Sequence, residues 1–368
     1  MQRSTLEWLT LALDQRHNEK IMRIFILLIG FTMLTDSARA DTDRRWSIAI
    51  HGGAGVIERA SLTPEQDASY REALQRALEA GSAVLEANGS ALDAVQAAIT
   101  RMEDDPLFNA GRGAVYTSEG RVELDASIMD GATLNVGAVA GVTRTRHPIM
   151  LARRVMEHSP HVMLVGNGAD AFSLEQGVEQ VEPAWFYTER RWRALETFLK
   201  ARNLPIPQKP AGVLQENPKE NLVHDEGKRG TVGAVALDVN GNVAAGTSTG
   251  GTTGKRWGRV GDSPIIGAGT YASNRSCAVS ATGTGEYFIR LTVAREICAL
   301  VEYKNLSLQA AADEVIQKRL TELGGDGGII AVAPDGQISW SFNTSGMYRA
   351  RVAKGKPAEV GIYKEEGG

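Results

Sequence analysis

Two cysteines in 368 residues are too few to staple a fold, so a disulfide scaffold is excluded. Net charge is nearly absent as well: 40 Lys and Arg against 44 Asp and Glu leave −4 at pH 7. Such a balance offers no basic face, and no nucleic-acid partner is expected. The apolar run near the N-terminus, Ile24 to Leu34, spans about 11 residues where a membrane helix needs roughly 20. Metal-ligand spacing is missing too. The histidines beyond residue 40, at 51, 147, 158, 161 and 224, form no binding pattern and no Cys-x-x-Cys accompanies them. No metal site is expected, and none of these histidines is given a catalytic role. Glycine, by contrast, is plentiful: 40 of 368 residues, about 11% against a usual value near 7%. With 43% apolar and 23% charged residues, the composition is that of a globular protein with a large core, built as one large domain or two ordinary ones.

Residues 22–40 read as an address. Met22-Arg23, the apolar run and Ala38-Arg39-Ala40 are the three parts of a secretory leader. On that reading Met22 is the start, residues 1–21 are an over-extended reading frame, and the mature chain begins at Asp41. It is then periplasmic or secreted, with no membrane attachment once the leader is gone. Cys277 and Cys298 could pair in such a compartment, but their spacing says nothing about distance, and two buried thiols are the favoured reading.

Along the mature chain, Trp46 to Ile50 predicts a strand that runs into a loop, His51-Gly52-Gly53-Ala54-Gly55. Thr63, Pro64 and Gln66 predict a capped helix that ends at Asn88-Gly89, and Ser90 caps a second that stops before Pro106. Short strands, including 122–129, and a helix over 148–158 follow. Residues 203–230 carry Pro205, Pro207, Pro210 and Pro218 with many charges and no apolar period, which predicts a flexible linker. At Gly230-Thr231 the character changes to an apolar strand over 232–237, and Asn240-Gly241 turns it into a second one over 243–247. A strand over 277–280, a helix over 286–301, another from Ser307 to Gly324-Gly325 and a hairpin around Pro334-Asp335-Gly336 complete the chain. Strands and helices come in blocks without strict alternation, so the fold class is α+β with antiparallel pairing.

Two motifs are decoys. Gly246-Thr247-Ser248-Thr249-Gly250 fits G-x-S-x-G, but a nucleophile elbow must lead into a helix and the glycine-rich sequence after it does not. Residues 250–255 approach a phosphate loop, yet Arg256 stands where Ser or Thr is required. No Ser-His-Asp or Cys-His set is evident. A threonine nucleophile at a chain start needs no separate base, because its own α-amine can take the hydroxyl proton near neutral pH. Gly230-Thr231, where the linker meets a rigid strand, is a candidate cleavage point for exposing one. A threonine that merely begins a strand is the alternative.

The segments GTVGAVALD (230–238), TSTGG (247–251), GRVGDSPIIGAG (258–269) and ATGTGE (281–286) resemble the isoaspartyl peptidase/plant-type L-asparaginase family. HGGAG (51–55), PLFNAGRGAV (106–115), ELDASIMDG (123–131) and SPHVMLVG (159–166) resemble its N-terminal half, so the likeness runs in order over most of 46–363. The resemblance implies an N-terminal-nucleophile hydrolase with an αββα four-layer sandwich, made as a precursor that cleaves itself. The cut would fall between Gly230 and Thr231, giving an α subunit of 41–230 and a β subunit of 231–368 within one domain. An (αβ)₂ homo-oligomer is implied as well.

In that family Thr231 Oγ would attack the side-chain amide carbonyl of an L-aspartyl group, with Thr249 beside it. Arg259 suits the substrate α-carboxylate because its planar fork binds both oxygens. Asp262 would take the α-ammonium, and Gly258, Val260 and Gly261 would shape the space around the head group. Thr282 and Gly283 would form the oxyanion hole. Thr284 and Gly285 would complete that loop, and Asn109 resembles a position near the site. The PLFNAG segment resembles a loop whose carbonyls hold a structural sodium ion; no cofactor is expected for catalysis. The expected partners are small amides or β-aspartyl dipeptides. Glycosylasparaginases, which are related, carry Asn within the TSTGG block and Asn-Gly-Asp where this chain has Thr284-Gly285-Glu286, so Gly250 and Thr284 favour the isoaspartyl branch. Arg256 and Trp257 would bear on the leaving group. A non-catalytic binding protein for acidic amino acids, using Arg259 and Asp262, is the rival from another class.

Overall fold

The computed structural model describes residues 45–213 and 230–366. The leader read at 22–40 lies outside the described residues, as does the part of the linker from 214 to 229. Residues 203–213 carry no helix or strand.

The first strand, β1 (Ser47–Gly55), does not stop at Ile50 but runs through the expected loop. Against its neighbour the register slips between His51 and Gly53, which leaves Gly52 as the extra residue of a bulge. A Cβ at Gly52 would overlap the Phe108 ring, so the bulge depends on glycine. Helix α1 (Pro64–Glu86) starts as the sequence indicates. Thr63 Oγ accepts from the Gln66 amide at 3.3 Å and the Thr63 amide donates to Gln66 Oε1 at 2.8 Å. Ser90 caps α2 (Ala91–Glu103). Then come β2 (Leu124–Asp130), β3 (Val136–Val142), α3 (Pro148–His158), β4 (Met163–Val165), α4 (Gly166–Glu175) and α5 (Glu189–Lys200).

Beyond the linker, β5 (Val232–Leu237) and β6 (Val243–Thr249) form the hairpin that Asn-Gly signals, followed by β7 (Thr270–Ala272) and β8 (Ala278–Gly283). The single helix expected over 286–301 is two, α6 (Gly285–Leu291) and α7 (Val293–Lys304). Thr292 between them has φ +47°, and the Ala294 and Arg295 amides donate to the carbonyls of Ala268 and Gly267 at 3.1 and 2.8 Å. These hydrogen bonds to the preceding loop take the place of a continuous ladder, so the helix restarts. Helix α8 (Leu308–Asp313) continues as a π-helical segment, Glu314–Leu320. The chain closes with β9 (Gly327–Val332), β10 (Ile338–Phe342), β11 (Gly346–Ala353) and β12 (Glu359–Tyr363).

The fold is α+β. An eight-stranded sheet runs β12-β11-β1-β5-β6-β2-β3-β4 and a four-stranded sheet runs β10-β9-β8-β7. Pairing is antiparallel except between β3 and β4. Strand alternation divides the core. Ile48 and Ile50 of β1 and Val232, Ala234 and Ala236 of β5 join an apolar cluster with α1, α2 and α3. Ala49, Val235 and Leu237, of opposite parity, join a second cluster with Ile330 and Val332 of the four-stranded sheet. Val279, Ala281, Ile329 and Ala331 turn the other way, into a third cluster with α7 and α8. β5 is buried on both faces, which is why it reads as an unbroken apolar run.

The reading of Cys277 and Cys298 as free thiols is corrected: they form a disulfide, with Cα atoms 5.4 Å apart. Both are buried where the start of β8 meets the inner face of α7. Closing a loop of this length restricts the unfolded chain by roughly 3 kcal/mol. Urea unfolding of the Cys277→Ser/Cys298→Ser variant is therefore expected to lose about that much stability. Identical midpoints for the two proteins would contradict the cross-link's role.

Candidate active site

The layer between the two sheets is apolar at one end and polar at the other. Strand parity explains both. Ala49, Met129, Val235 and Ala245 lie in the apolar cluster. Two or four residues along the same strand faces come His51 on β1, Ser127 and Asp125 on β2, Gly233 and Thr231 on β5, and Thr247 and Thr249 on β6. Register aligns them: Gly233 faces His51 on one side and Thr247 on the other, and Asp125 faces Thr249. From the four-stranded sheet, β8 adds Ser280 and Thr282 after Ala278.

At this polar end Thr231 and Thr249 meet. Thr231 Oγ donates to Thr249 Oγ at 3.0 Å, and Thr249 Oγ also accepts from the Gly251 amide at 3.0 Å. Thr231's lone pairs are thus left for an electrophile. His51 Nδ1 lies 3.0 Å from the Thr231 carbonyl oxygen, and burial drives its imidazole down to about 3, so the ring is neutral. Asn109 spans the junction. Its backbone amide donates to the Gly230 carbonyl at 3.1 Å, its carbonyl accepts from the Gly250 amide at 3.0 Å, and its side chain donates to the Gly251 carbonyl at 2.8 Å. The carbonyl just before Thr231 is therefore already polarised by an N–H.

Arg256 to Arg259 form a turn closed by the Arg259 amide on the Arg256 carbonyl at 3.0 Å, with Trp257 at φ +58° and Gly258 at φ +68°. Arg259 Nε and Nη2 donate to the two carboxylate oxygens of Glu286 at 2.9 and 3.1 Å. Its Nη1 lies by Gly261 and Gly251, where a Cβ at either glycine would sit 2.8 or 3.5 Å from it. Val260 follows, half-buried. The Asp262 carboxyl is buried, and its Oδ2 has no hydrogen-bond partner among the described residues. Burial, opposed in part by Arg259, pushes it up to about 7. The Thr282 hydroxyl is likewise buried without a partner among the described residues. Gly283 follows it at the end of β8; Thr284 bonds the Asp326 carboxylate, and Gly285 lies against Asp262 Oδ1.

The fold thus gathers two groups of candidates, the Thr231–Thr249–Asn109 junction and the Arg259–Asp262 loop, which leads through Gly285 to Thr282–Gly283. Three neighbours are absent from the residues the sequence singles out. His51 was passed over because a lone histidine has no spacing. Lys255, rejected with the phosphate loop, is buried with Nζ 2.8 Å from the Glu123 carbonyl and 3.9 Å from Asp125 Oδ2. Glu286 became visible only through Arg259. Strand parity with Thr231 was the available clue for His51.

Among the described residues no group of three or more His, Cys, Asp and Glu side chains is arranged to hold a metal. Of the carbonyls in the segment that resembles a sodium-holding loop, those of Pro106 and Leu107 accept from Arg190 Nη2 at 2.7 and 3.0 Å. A cation there would draw on the carbonyls that follow.

Known proteins resemble the chain over most of its length. A family model described as asparaginase matches residues 44–362. The chain is 51% identical to the isoaspartyl peptidase of Escherichia coli (strain K12) over 320 residues, 87% of this chain and 97% of that one. It is 42% identical to the isoaspartyl peptidase/L-asparaginase of Xenopus laevis, covering 87% and 96% of the two chains. To the plant-type L-asparaginase of Pyrococcus abyssi (strain GE5 / Orsay) it is also 42% identical, covering 86% and 99%.

A carboxyl held near 7 makes ligand binding depend on pH. Below that value Asp262 is protonated and neutral, and it loses its attraction for an ammonium. Calorimetric affinity for L-aspartate is expected to weaken up to tenfold per unit as pH falls from 7 to 5.5, and Asp262→Asn should bind weakly with a flat profile. A flat profile in the unaltered protein would contradict the assignment.

Proposed function

The chain belongs to the asparaginase family, an enzyme family that includes isoaspartyl peptidases and plant-type L-asparaginases, and we propose that it hydrolyses β-aspartyl dipeptides and L-asparagine to L-aspartate through Thr231. Membership removes the non-catalytic binding-protein reading. The observation that carries the finer reading is the Thr231–Thr249 hydroxyl pair at the linker junction, where the Gly230 carbonyl is held by the Asn109 amide.

Two stages follow. In the precursor, Thr231 Oγ attacks the Gly230 carbonyl carbon and gives up its proton as the C–N bond breaks toward nitrogen. That cleavage frees the α-amine of Thr231, and water then hydrolyses the resulting ester, restoring the Thr231 hydroxyl and leaving Gly230 as a carboxylate. In the mature enzyme that amine, with an ordinary value near 7.7 to 8.0, takes the Oγ proton as Oγ attacks the substrate's side-chain carbonyl. The Thr282 hydroxyl and the Gly283 amide receive the oxyanion; losing one such donor typically costs about 3 kcal/mol. Collapse expels ammonia or an amino acid, and water cleaves the acyl-enzyme to release aspartate.

The head group is read by two charges. Arg259 takes the α-carboxylate, its Nε edge held by Glu286. Asp262, whose buried Oδ2 has no hydrogen-bond partner among the described residues, gains one in the α-ammonium, which offsets the cost of an unsatisfied oxygen. The apolar clusters on the outer faces of both sheets support the four-layer αββα sandwich. The disulfide supports export, since such bonds persist in oxidising compartments. The (αβ)₂ assembly carries over with the same proposal.

Thr231→Ala is expected to lower aspartate release from L-asparagine and β-aspartyl-leucine by at least about a thousandfold, with the variant still folded. Arg259→Lys should raise KM about tenfold or more with a smaller change in kcat, because a point charge replaces a two-pronged contact. An active Thr231→Ala protein would overturn the assignment.

A further inference from the structure

The polar end of the inter-sheet layer contains a connected row of side chains that the chemistry above does not use. His51 Nε2 lies 3.0 Å from Ser280 Oγ, and Ser280 Oγ lies 2.7 Å from Thr247 Oγ. Thr270 Oγ donates to Thr247 Oγ at 2.6 Å, and Ser127 Oγ lies 2.8 Å from Thr270 Oγ. All five side chains are fully buried. Their strands alternate between the sheets: β2, β7, β6, β8, β1. The row therefore stitches the two sheets together with hydrogen bonds where the rest of the layer is apolar.

Its direction can be worked out. The Thr231 carbonyl only accepts, so His51 Nδ1 must carry the proton and donate. The ring is neutral, which leaves Nε2 as an acceptor that Ser280 must serve. Ser280 then accepts from Thr247, whose proton the Gly269 carbonyl at 3.1 Å also draws on, and Thr247 accepts from Thr270. The bonds from Thr270 to His51 run one way and each polarises the next, while Ser127's single proton is contested between Thr270 Oγ and the Ser263 carbonyl. Ser127 Oγ also lies 2.6 Å from the Ser263 carbonyl, beside Asp262. Gly233 belongs to the device by having no side chain. It sits between His51 and Thr247 in the eight-stranded sheet, and a Cβ there would overlap both Ser280 Oγ and His51 Nε2.

We propose that His51, oriented by Ser280 and the hydroxyl row behind it, is a positioning residue that clamps the carbonyl of Thr231 once that residue becomes a chain end. The inference rests on Thr231 as the nucleophile. A cut before Thr231 places the reacting hydroxyl on a terminus, and termini fray unless tied down. The ladder to β6 begins only at Val232. The bond from His51 fixes the one carbonyl between the ladder and the free amine, and with it the placement of amine and Oγ. A displacement of about 1 Å there costs about a hundredfold in rate.

The test uses the full chain after processing, with L-asparagine as substrate. His51→Ala is expected to lower kcat about a hundredfold with KM within threefold. His51→Asn, whose amide can donate from near the Nδ1 position, should recover to within tenfold of the unaltered enzyme. Ser280→Ala keeps the imidazole but removes the donor that selects its tautomer. It should cut kcat about tenfold, and nitrogen NMR of the ring should change from a single Nδ1–H form to a mixture. Val155→Ala on α3, a core change away from the row, controls for lost stability. Ser280→Ala with unaltered kcat and an unaltered ring spectrum overturns the clamp, as does His51→Asn that recovers nothing over His51→Ala, or a kcat loss that follows melting temperature equally in Val155→Ala. If His51→Ala does not fold, the Ser280→Ala kinetics and spectrum decide alone. An active Thr231→Ala protein overturns the nucleophile instead, so the two failures are told apart.

Discussion

Each of the two sheets offers one face to the other, and period-two alternation then decides, residue by residue, what fills the space between them. Over most of the layer the answer is small and branched apolar side chains such as Ala49, Val235, Ala245 and Ile330. Toward one end the same faces of the same strands carry His51, Thr231, Thr247 and Thr249. A one-residue slip of β5 against β6 would send Thr231 to the helix side and Val232 into its place. The apolar half of the layer resists that slip, because it would bury Val235 and Leu237 on the wrong face. Packing at one end fixes chemistry at the other.

The same layer explains why the site contains buried polar atoms without partners. Asn109 is satisfied through both its backbone and its side chain. Among the described residues several buried side-chain atoms have no hydrogen-bond partner, and two of them, Asp262 Oδ2 and Thr282 Oγ, belong to the loops brought up to the polar end. Leaving such groups unpaired costs folding free energy. In the proposed reading, a ligand with a cation and a polarised carbonyl returns that cost on binding, and the unpaired atoms would then favour a free amino-acid head group. Arg259 is prepared differently: Glu286 holds one edge of its guanidinium in place.

Much of this was legible in the sequence where local rules are strong. The Thr63–Gln66 capping box, the Ser90 cap, the Asn240-Gly241 hairpin and the apolar run of β5 all appear where their patterns put them. The failures have physical reasons. His51-Gly-Gly looks like a loop because two adjacent glycines usually break a strand, yet here they make a bulge against Phe108. The helix after Gly285 restarts at Thr292 because Gly267 and Ala268, distant in sequence, take its first amides. Cys277 and Cys298 pair through the contact between β8 and α7, which spacing alone does not encode. Within the site, the roles of Thr249, Thr282 and Asp262 came from family resemblance, whereas His51 and Lys255 became visible only once parity and register were known.

The central claim is that Thr231 becomes a chain terminus and attacks from there. The intact mass of the purified chain after incubation at neutral pH tests it most directly. The account predicts two polypeptides that meet between Gly230 and Thr231, the smaller beginning with Thr231. A single uncut chain that releases aspartate from L-asparagine at full rate would contradict it.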